Sequence, residues 1–473
     1  MPDVLSRDEL AGRVRAVAAE LALDGGWLVG GAVRDLLLER PVLDWDVLVE
    51  GDPGAAARAL ANRAGGAPFP LSERHGAWRV VLGDRTVDFT GLAGTLDQDL
   101  RRRDFTLNAV AARLDDGVLA DPTGGLADIA EGVVRPVSDR FFRDDPLRLL
   151  RLPRIAAELE FEVSEEAASL AARDAPSASR AAGERQLAEL SRILAVRDPA
   201  NALKLADRLG VLPVVLPEVT RLKGIDQNLY HHLDVFEHTV HVVDSTADVA
   251  DHPEHYFPEP AVEPLRQALA MPVDATIDQR GALRWAALFH DAAKPQTRTV
   301  TAEGAVKFFG HDVQGARIAR EVLERLHASQ ALRRFCEVLV REHLRLGFLI
   351  RQRPLDARVV HRYANATRPY VYASIVLSLG DRFATRGERT RMRGLRRHHA
   401  LAQELAAAYV GYEATPLEPV IRGDNLARLL DLRPGPVLGE LLAAIEEEQA
   451  AGAVESPDDA VAFGRAWLAS RGD

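Results

Sequence analysis

The stretch Leu28-Val29-Gly30-Gly31-Ala32-Val33-Arg34-Asp35, followed by Asp44-Trp45-Asp46, decides how the first part of the chain folds. A short apolar run ends in paired glycines and passes into a helical pattern. Glycines at such a turn let backbone N–H groups approach an anion, and the start of a helix adds positive potential. Arg34 can reach the same anion. Asp44 and Asp46 are two apart on an expected strand, so their side chains share one face. Asp88, in Thr86-Val87-Asp88-Phe89, offers a third carboxylate from a neighbouring strand. Carboxylates gathered in this way hold divalent ions, which serve the attacking and leaving oxygens in phosphoryl and nucleotidyl transfer. A lone Asp-x-Asp is usually a surface pattern. The Gly-Gly-x-x-Arg-Asp run beside it makes catalysis the better reading.

Working outward, Trp27–Val29, Trp45–Val49, Trp78–Leu82 and Thr86–Phe89 read as short strands, with alternating or continuous apolar residues. Residues 1–134 therefore mix helix and strand. Residues 135–220 are helical, with apolar residues three and four apart in Leu147–Leu159 and Leu187–Leu194. Residues 225–400 are helical and rich in His. Residues 410–473 form a small helical tail opened by Pro416 and Pro419, with a turn at Arg433–Pro436. The expected class is α+β: a small mixed-sheet head followed by an all-helical neck, body and tail. There is no internal repeat.

Composition sets the outer limits. At 473 residues the prior is about three domains. Hydrophobic residues at 47% suffice for several cores. No apolar run approaches the ~20 residues a membrane span needs. Residues 1–21 mix Asp, Glu and Arg with Ala and Leu, the pattern of an amphipathic helix and not of a signal peptide. Cys336 is the only cysteine, which excludes intrachain disulfides and a cysteine-rich zinc site. A cytoplasmic protein is the expectation. The net charge of −11 argues against a surface coated with nucleic acid but leaves room for a local basic groove.

The run Asp99-Leu100-Arg101-Arg102-Arg103-Asp104-Phe105-Thr106-Leu107-Asn108-Ala109 adds a second motif. With the glycine and aspartate runs it resembles the class II tRNA nucleotidyltransferases, which add the terminal CCA to tRNA, and the related bacterial poly(A) polymerases. The resemblance covers nearly the whole chain. It implies that Arg103, and secondarily Arg102, contacts the nucleotide; consecutive arginines also suit a triphosphate on charge alone. A third motif, Asp121-Pro122-Thr123-Gly124-Gly125-Leu126-Ala127-Asp128 ending at Arg135, joins head to neck, and its expected role is structural.

The fourth motif is Asp144-Asp145-Pro146-Leu147-Arg148, continuing to Arg151 and Arg154. The three arginines fall along one helical face, and the two aspartates are expected to pair with them from the helix start. The resemblance implies an amino-acid template: Asp145 accepts from the exocyclic amine of C or A, and Arg148 donates to the ring. U and G would leave buried groups unpaired, at ~1–3 kcal/mol per lost bond. Arg151 and Arg154 are then expected toward the triphosphate. The first acid, usually Glu in the family, is Asp144 here. A fifth motif, Glu184-Arg185 with Glu189, is expected to hold the neck helices through ion pairs.

The second half carries His238, His290-Asp291 and Asp381, with His311 and His343 between. This resembles the HD phosphohydrolase domain of some tRNA nucleotidyltransferases. Two imidazoles and two carboxylates make a mixed nitrogen–oxygen site for one divalent metal. His311 and His343 can extend it, and Lys294 can steady a phosphate. The activity implied is removal of a phosphate, or opening of a cyclic phosphate, at a damaged RNA end. A scaffold of internally bonded histidines is the plainer alternative.

Residues 382–397 hold seven arginines against one acid, Glu388. Arg386, Arg389, Arg393 and Arg397 are the expected contacts to tRNA backbone, recognising shape and phosphates. The resemblance thus implies addition of CTP- or ATP-derived nucleotides to tRNA 3′ ends with Mg²⁺. The alternatives are poly(A) polymerase, and a metal phosphohydrolase with an RNA-binding head. In family members that add all of CCA, a flexible segment follows the third head carboxylate and helps convert the site from C to A. Specialists that add only CC have it shortened. Here only residues 89–98 separate Asp88 from Asp99. The expectation is CC addition, with a separate enzyme adding A, unless a segment such as residues 63–77 takes over the task.

Overall fold

The computed structural model describes residues 5–20, 23, 25–42, 44–72, 76–226, 233–385, 392–414 and 417–471. The chain divides into two compact units, Met1–Val215 and Leu216–Asp473.

The first unit contains a seven-stranded sheet of β1 (Trp27–Val29), β2 (Asp44–Val49), β3 (Ala67–Ser72), β4 (Ala77–Leu82), β5 (Arg85–Gly91), β6 (Ala111–Arg113) and β7 (Leu119–Ala120). Their order is β3-β4-β5-β2-β1-β6-β7. Only β2 and β5 run parallel. The sheet is mixed, as the sequence predicts. In β2 the alternation is plain: Trp45 and Val47 are buried, while Asp44 is exposed and Asp46 half-buried. Parallel pairing puts Asp46 level with Asp88 on β5. The four expected strands are present, three of them longer than expected.

Two connections deserve comparison. Residues 63–77, read as a loop that could replace a missing segment, instead contain β3, paired antiparallel with β4; Pro68 and Pro70 fit there because β3 is at the sheet edge. Between β5 and the short helix Leu96–Leu100 only residues 92–95 remain. The Leu92 N–H donates to the Val49 carbonyl at 2.8 Å. Thr95 and Gln98 form a capping box that starts the helix at once.

Beyond the sheet, helices Arg148–Leu159 and Gly183–Ala195 pack against each other, and their Leu149, Leu152, Ile155, Leu190 and Ile193 are all buried. The second unit is built from helices including Val235–Asp251, Gln279–Phe289, His311–Arg325, Gln330–Glu342 and Val371–Ala384. Residues 420–467 form a small core of their own around Leu426, Leu441, Ile445 and Ala460. The helical regions are not wholly helical. β8 (Val133–Val134) pairs with β9 (Glu162–Val163), and β10 (Arg298–Val300) forms a hairpin with β11 (Val306–Phe308). These ladders of two or three residues are too short to leave a period in the sequence. No described helix is long and apolar enough to cross a membrane.

Candidate functional site

In the first unit a cleft of about 570 Å³ is lined by Gly30, Gly31, Arg34, Asp44, Asp46, Arg103, Arg148, Arg151 and Arg154. Gly30 sits between β1 and helix Gly31–Leu37 with φ +72°. A Cβ there would lie 3.0 Å from the Arg103 guanidinium and 3.4 Å from an Asp46 oxygen, so the turn needs glycine twice over. The sequence-predicted glycine, aspartate and arginine runs therefore meet in one cavity.

The three expected carboxylates are not equivalent. Asp44 accepts from the Thr86 hydroxyl at 2.5 Å. Asp88 is gripped by Arg79, whose Nε and Nη2 donate at 2.7 and 2.8 Å. Asp46 has no such fork. Burial pushes its carboxyl up, and the Asp88 and Asp44 charges add to this against the pull of Arg103, to about 6. A carboxyl this reluctant to ionise gains from a neighbouring cation, which is the test a divalent ion at Asp44 and Asp46 passes.

The arginines divide their work. Arg34 donates to Asp35 and, at 2.8 Å, to Asn108. Asn108 donates to Asp104, which also accepts from Arg151 at 3.3 Å. The other edge of Arg151 reaches Glu189 at 3.2 Å, and Arg154 reaches Glu189 at 2.6 Å and Glu158 at 2.7 Å. Glu189 is buried, so it clamps both arginines, in agreement with the ion-pair reading of its motif. Arg148, Arg151 and Arg154 share the cleft-facing side of their helix as their spacing predicts, but two of them are already engaged by carboxylates.

Three site residues differ from expectation. Asp144 and Asp145 do not pair with the arginines of that helix: Asp144 ends helix Phe141–Asp144, and Asp145 has extended backbone before Pro146. Asp145 instead accepts from the Leu147 N–H and from Arg185 at 3.1 Å. Arg148 lies over the Phe141 ring, 4.8 Å from its centre, and donates to the carbonyls of Phe141 and Arg102. Arg102 is exposed and is not among the residues lining the cleft, whereas Arg103 is. Asp104, Asn108, Arg192 and Arg79 were not assigned from the sequence. Asp104 and Asn108, four apart in a quoted motif, carried a signal; Arg79 carried none, because its partner lies on another strand.

In the second unit the histidine residues converge. Nε2 of His238 is 3.1 Å from Asp381 and 3.6 Å from Asp291. His290 Nε2 is 3.0 Å from Asp291 Oδ2 but out of line for a hydrogen bond. His311 Nε2 lies 3.5 Å from Asp291 Oδ1, and Lys294 Nζ 2.6 Å from Oδ2. Nδ1 of His290, His311 and His343 is 2.8, 2.7 and 2.6 Å from the carbonyls of Ala287, Phe308 and Val340. Each Nδ1–H therefore donates to backbone and leaves Nε2 as the lone-pair atom a metal takes. Burial, with His290 and His311 nearby, pushes His343 down to about 4, which keeps it neutral. Burial works to raise Asp291, yet His290 and Lys294 hold it well below the usual carboxylate range. The six groups fall into two sets of mutually close atoms, His238–His290–Asp381 and Asp291–His311–His343. The four sequence-predicted ligands and their two extensions are thus brought together.

Of the basic run, Arg386 and Arg389 lie outside the described residues. Arg393 and Arg397 are exposed on helix Met392–Ala414.

Comparison with known proteins bears on both sites. The model of the Poly A polymerase head domain matches residues 26–93 and 84–135, that of a probable RNA and SrmB-binding site of polymerase A matches 160–223, and that of the HD domain matches 235–367. The A-adding tRNA nucleotidyltransferase of Deinococcus radiodurans is 37% identical, over 94% of this chain and 95% of its own. The CC-adding tRNA nucleotidyltransferase of Thermus thermophilus is 35% identical, over 94% of each. A CCA-adding enzyme in complex with CTP shares the fold with a TM-score of 0.63 at 19% identity, covering 99% of this chain and 100% of that one. The Thermotoga maritima CCA-adding enzyme in complex with tRNA does so with a TM-score of 0.57 at 20% identity, covering 97% and 95%. Matched along nearly the whole length of such relatives, the chain belongs to the tRNA nucleotidyltransferase family.

Proposed function

We propose that this enzyme adds two cytidylates to the 3′ end of tRNA, releasing pyrophosphate from CTP, and leaves the terminal adenylate from ATP to a separate enzyme. Similarity along the chain does not choose between the A-adding and CC-adding relatives, at 37% and 35% identity. The observation that carries the choice is the connection from β5 to helix Leu96–Leu100, reduced to residues 92–95 and fixed at both ends by hydrogen bonds. It leaves no chain to act as a lever that re-aims the base-selecting residues. The segment that could substitute for it holds an edge strand instead.

Within this reading Asp44 and Asp46 hold Mg²⁺, with Asp88 behind them. Bound there, Mg²⁺ would supply positive charge to the attacking 3′-hydroxyl oxygen and the leaving pyrophosphate. Gly30, Gly31, Arg34 and Arg103 face the triphosphate, with Arg102 at the margin. Asp145 and Arg148 select the base once Asp145 exchanges Arg185 for the nucleotide. Arg151 and Arg154 orient the cleft through Glu189 and add positive potential. Arg386, Arg389, Arg393 and Arg397 meet the tRNA backbone. The division into head 1–134, neck 135–220, HD-type body 225–400 and tail 410–473, and a cytoplasmic location, belong to the same proposal.

The HD-type body supports a second activity. His238, His290, Asp291 and Asp381, with His311 and His343, would hold a divalent metal, and their division into two sets suits two adjacent ions. The reading is a phosphohydrolase acting on RNA-end phosphates: water oxygen joins phosphorus, the bond from phosphorus to the ribose oxygen breaks, and that oxygen takes the proton.

Single-nucleotide assays test the main proposal. A tRNA lacking its CCA should accept CMP from CTP, and a tRNA already ending in CC should accept nothing from ATP. Efficient adenylation of the second would contradict it, and equal use of an unstructured RNA primer would favour poly(A) polymerase.

A further inference from the structure

A cleft of about 940 Å³ opens beside the histidine cluster, lined by Asp291, His311, His343 and Asp381 at one part and by Phe309 and Phe348 at another. The two phenylalanines are 75% and 71% exposed. Single exposed apolar side chains are ordinary on protein surfaces. These two share one cavity, and each follows or precedes a histidine of the cluster closely in the chain: Phe309 before His311, Phe348 after His343. Gly310, with φ +75°, makes the turn that buries His311 while turning Phe309 outward. The turns that place the ligands thus also place the rings.

The same cleft holds Lys307 and Arg382, neither of which has a carboxylate partner among the described residues. Lys307 lies 5.5 Å from the centre of the Phe309 ring. Cations that form no ion pair of their own, beside flat apolar rings, fit a ligand that is anionic at one end and a flat π-system at the other. The volume falls within the roughly 300–1,000 Å³ of small-molecule sites.

We infer that this cleft binds the terminal nucleotide of an RNA end, with its phosphate toward Lys307, Arg382 and the histidine cluster and its base stacked on Phe309 and Phe348. The inference rests on the phosphohydrolase reading of the cluster and makes the base a determinant of what that site accepts. Stacking tolerates every base, because each has a π-face. The site therefore selects nucleotides over other phosphate esters without selecting sequence.

The test compares adenosine 3′-monophosphate with glycerol 2-phosphate by titration calorimetry and by hydrolysis, on the full chain with Mg²⁺. Wild type should bind the nucleotide about tenfold more tightly than the sugarless ester, the size expected for one stacked base. The Phe309→Ala, Phe348→Ala double variant should lose about tenfold of that ratio, and Phe309→Trp should keep it. Both rings are exposed, so the variants should unfold at the wild-type temperature. Because they belong to the second unit, a change in the ratio reports this cleft and not nucleotide binding in the head. An absent preference in wild type, or an unaltered ratio in the double variant, overturns the inference. Preferential binding without hydrolysis of either ester supports it while removing the phosphohydrolase reading.

Discussion

Arg79 grips Asp88 through two hydrogen bonds of 2.7 and 2.8 Å, and so occupies the carboxylate that stands level with Asp46 on the neighbouring strand. A bidentate guanidinium–carboxylate pair is among the stronger polar contacts a protein makes. Asp88 is therefore less available to an ion than Asp44 or Asp46. Asp44→Ala and Asp46→Ala should abolish nucleotide incorporation, whereas Asp88→Asn should retain at least about tenfold more activity than either. Single-turnover incorporation of CMP checks the ranking.

The raised carboxyl of Asp46 makes a prediction about stability. Its folded value of about 6 exceeds the ordinary 3.8, so between these values the metal-free native chain keeps a proton that the unfolded chain releases, and above them it ionises at a cost. Stability from this group is complete below pH 3.8 and is lost as pH rises through 6. The displacement corresponds to about 3 kcal/mol at neutral pH. Asp46→Asn should raise the unfolding temperature of the metal-free protein at pH 7.5 and leave it nearly unaltered at pH 4. Scanning calorimetry at the two pH values decides the sign.

Glu189 is a buried carboxylate holding two arginines. Glu189→Ala leaves Arg154 buried with one fewer partner, and should destabilise the first unit by about 3–5 kcal/mol. Thermal unfolding should show the loss, and CMP incorporation by the folded variant should fall as well, because Arg151 and Arg154 lose the carboxylate that orients them.

Asp145 is held by Arg185, and Arg148 by Phe141 and two carbonyls. Asp145→Ala and Arg148→Ala should admit UTP or GTP more than they weaken triphosphate binding. Arg185→Ala should shift selectivity less, because it frees Asp145 without removing it. Misincorporation ratios among the four nucleotides measure this.

His290→Ala or Asp291→Ala should remove metal-dependent hydrolysis of RNA-end phosphates and spare CMP incorporation. Loss of both activities in a folded variant would mean that the two sites are not independent.

Much of this was legible because the chemistry is local in sequence. Gly30, Gly31 and Arg34 sit in one turn, Asp44 and Asp46 on one strand, and the strand period fixes their common face. The helix period likewise placed Arg148, Arg151 and Arg154 together. The sequence was silent where partners come from afar. Arg79 and Asp88 lie only nine residues apart on two expected strands, but the hairpin register that pairs them has to be known first, and nothing near Asp145 announces Arg185, since helix packing chooses that neighbour. Pro146 could have warned that Asp145 stands outside the helix, because the residue before proline avoids helical backbone. Phe309 and Phe348 stayed invisible because phenylalanines in short apolar runs read as core, and only their shared exposure in one cleft marks them.

The central claim is that the connection after β5 is too short to complete CCA. It is tested most directly by incubating the purified protein with a tRNA ending at its discriminator base, with CTP and ATP together, and sequencing the product ends. Ends of CC are predicted, even at long times and with ATP in excess. Efficient completion to CCA by the purified protein alone would contradict the account.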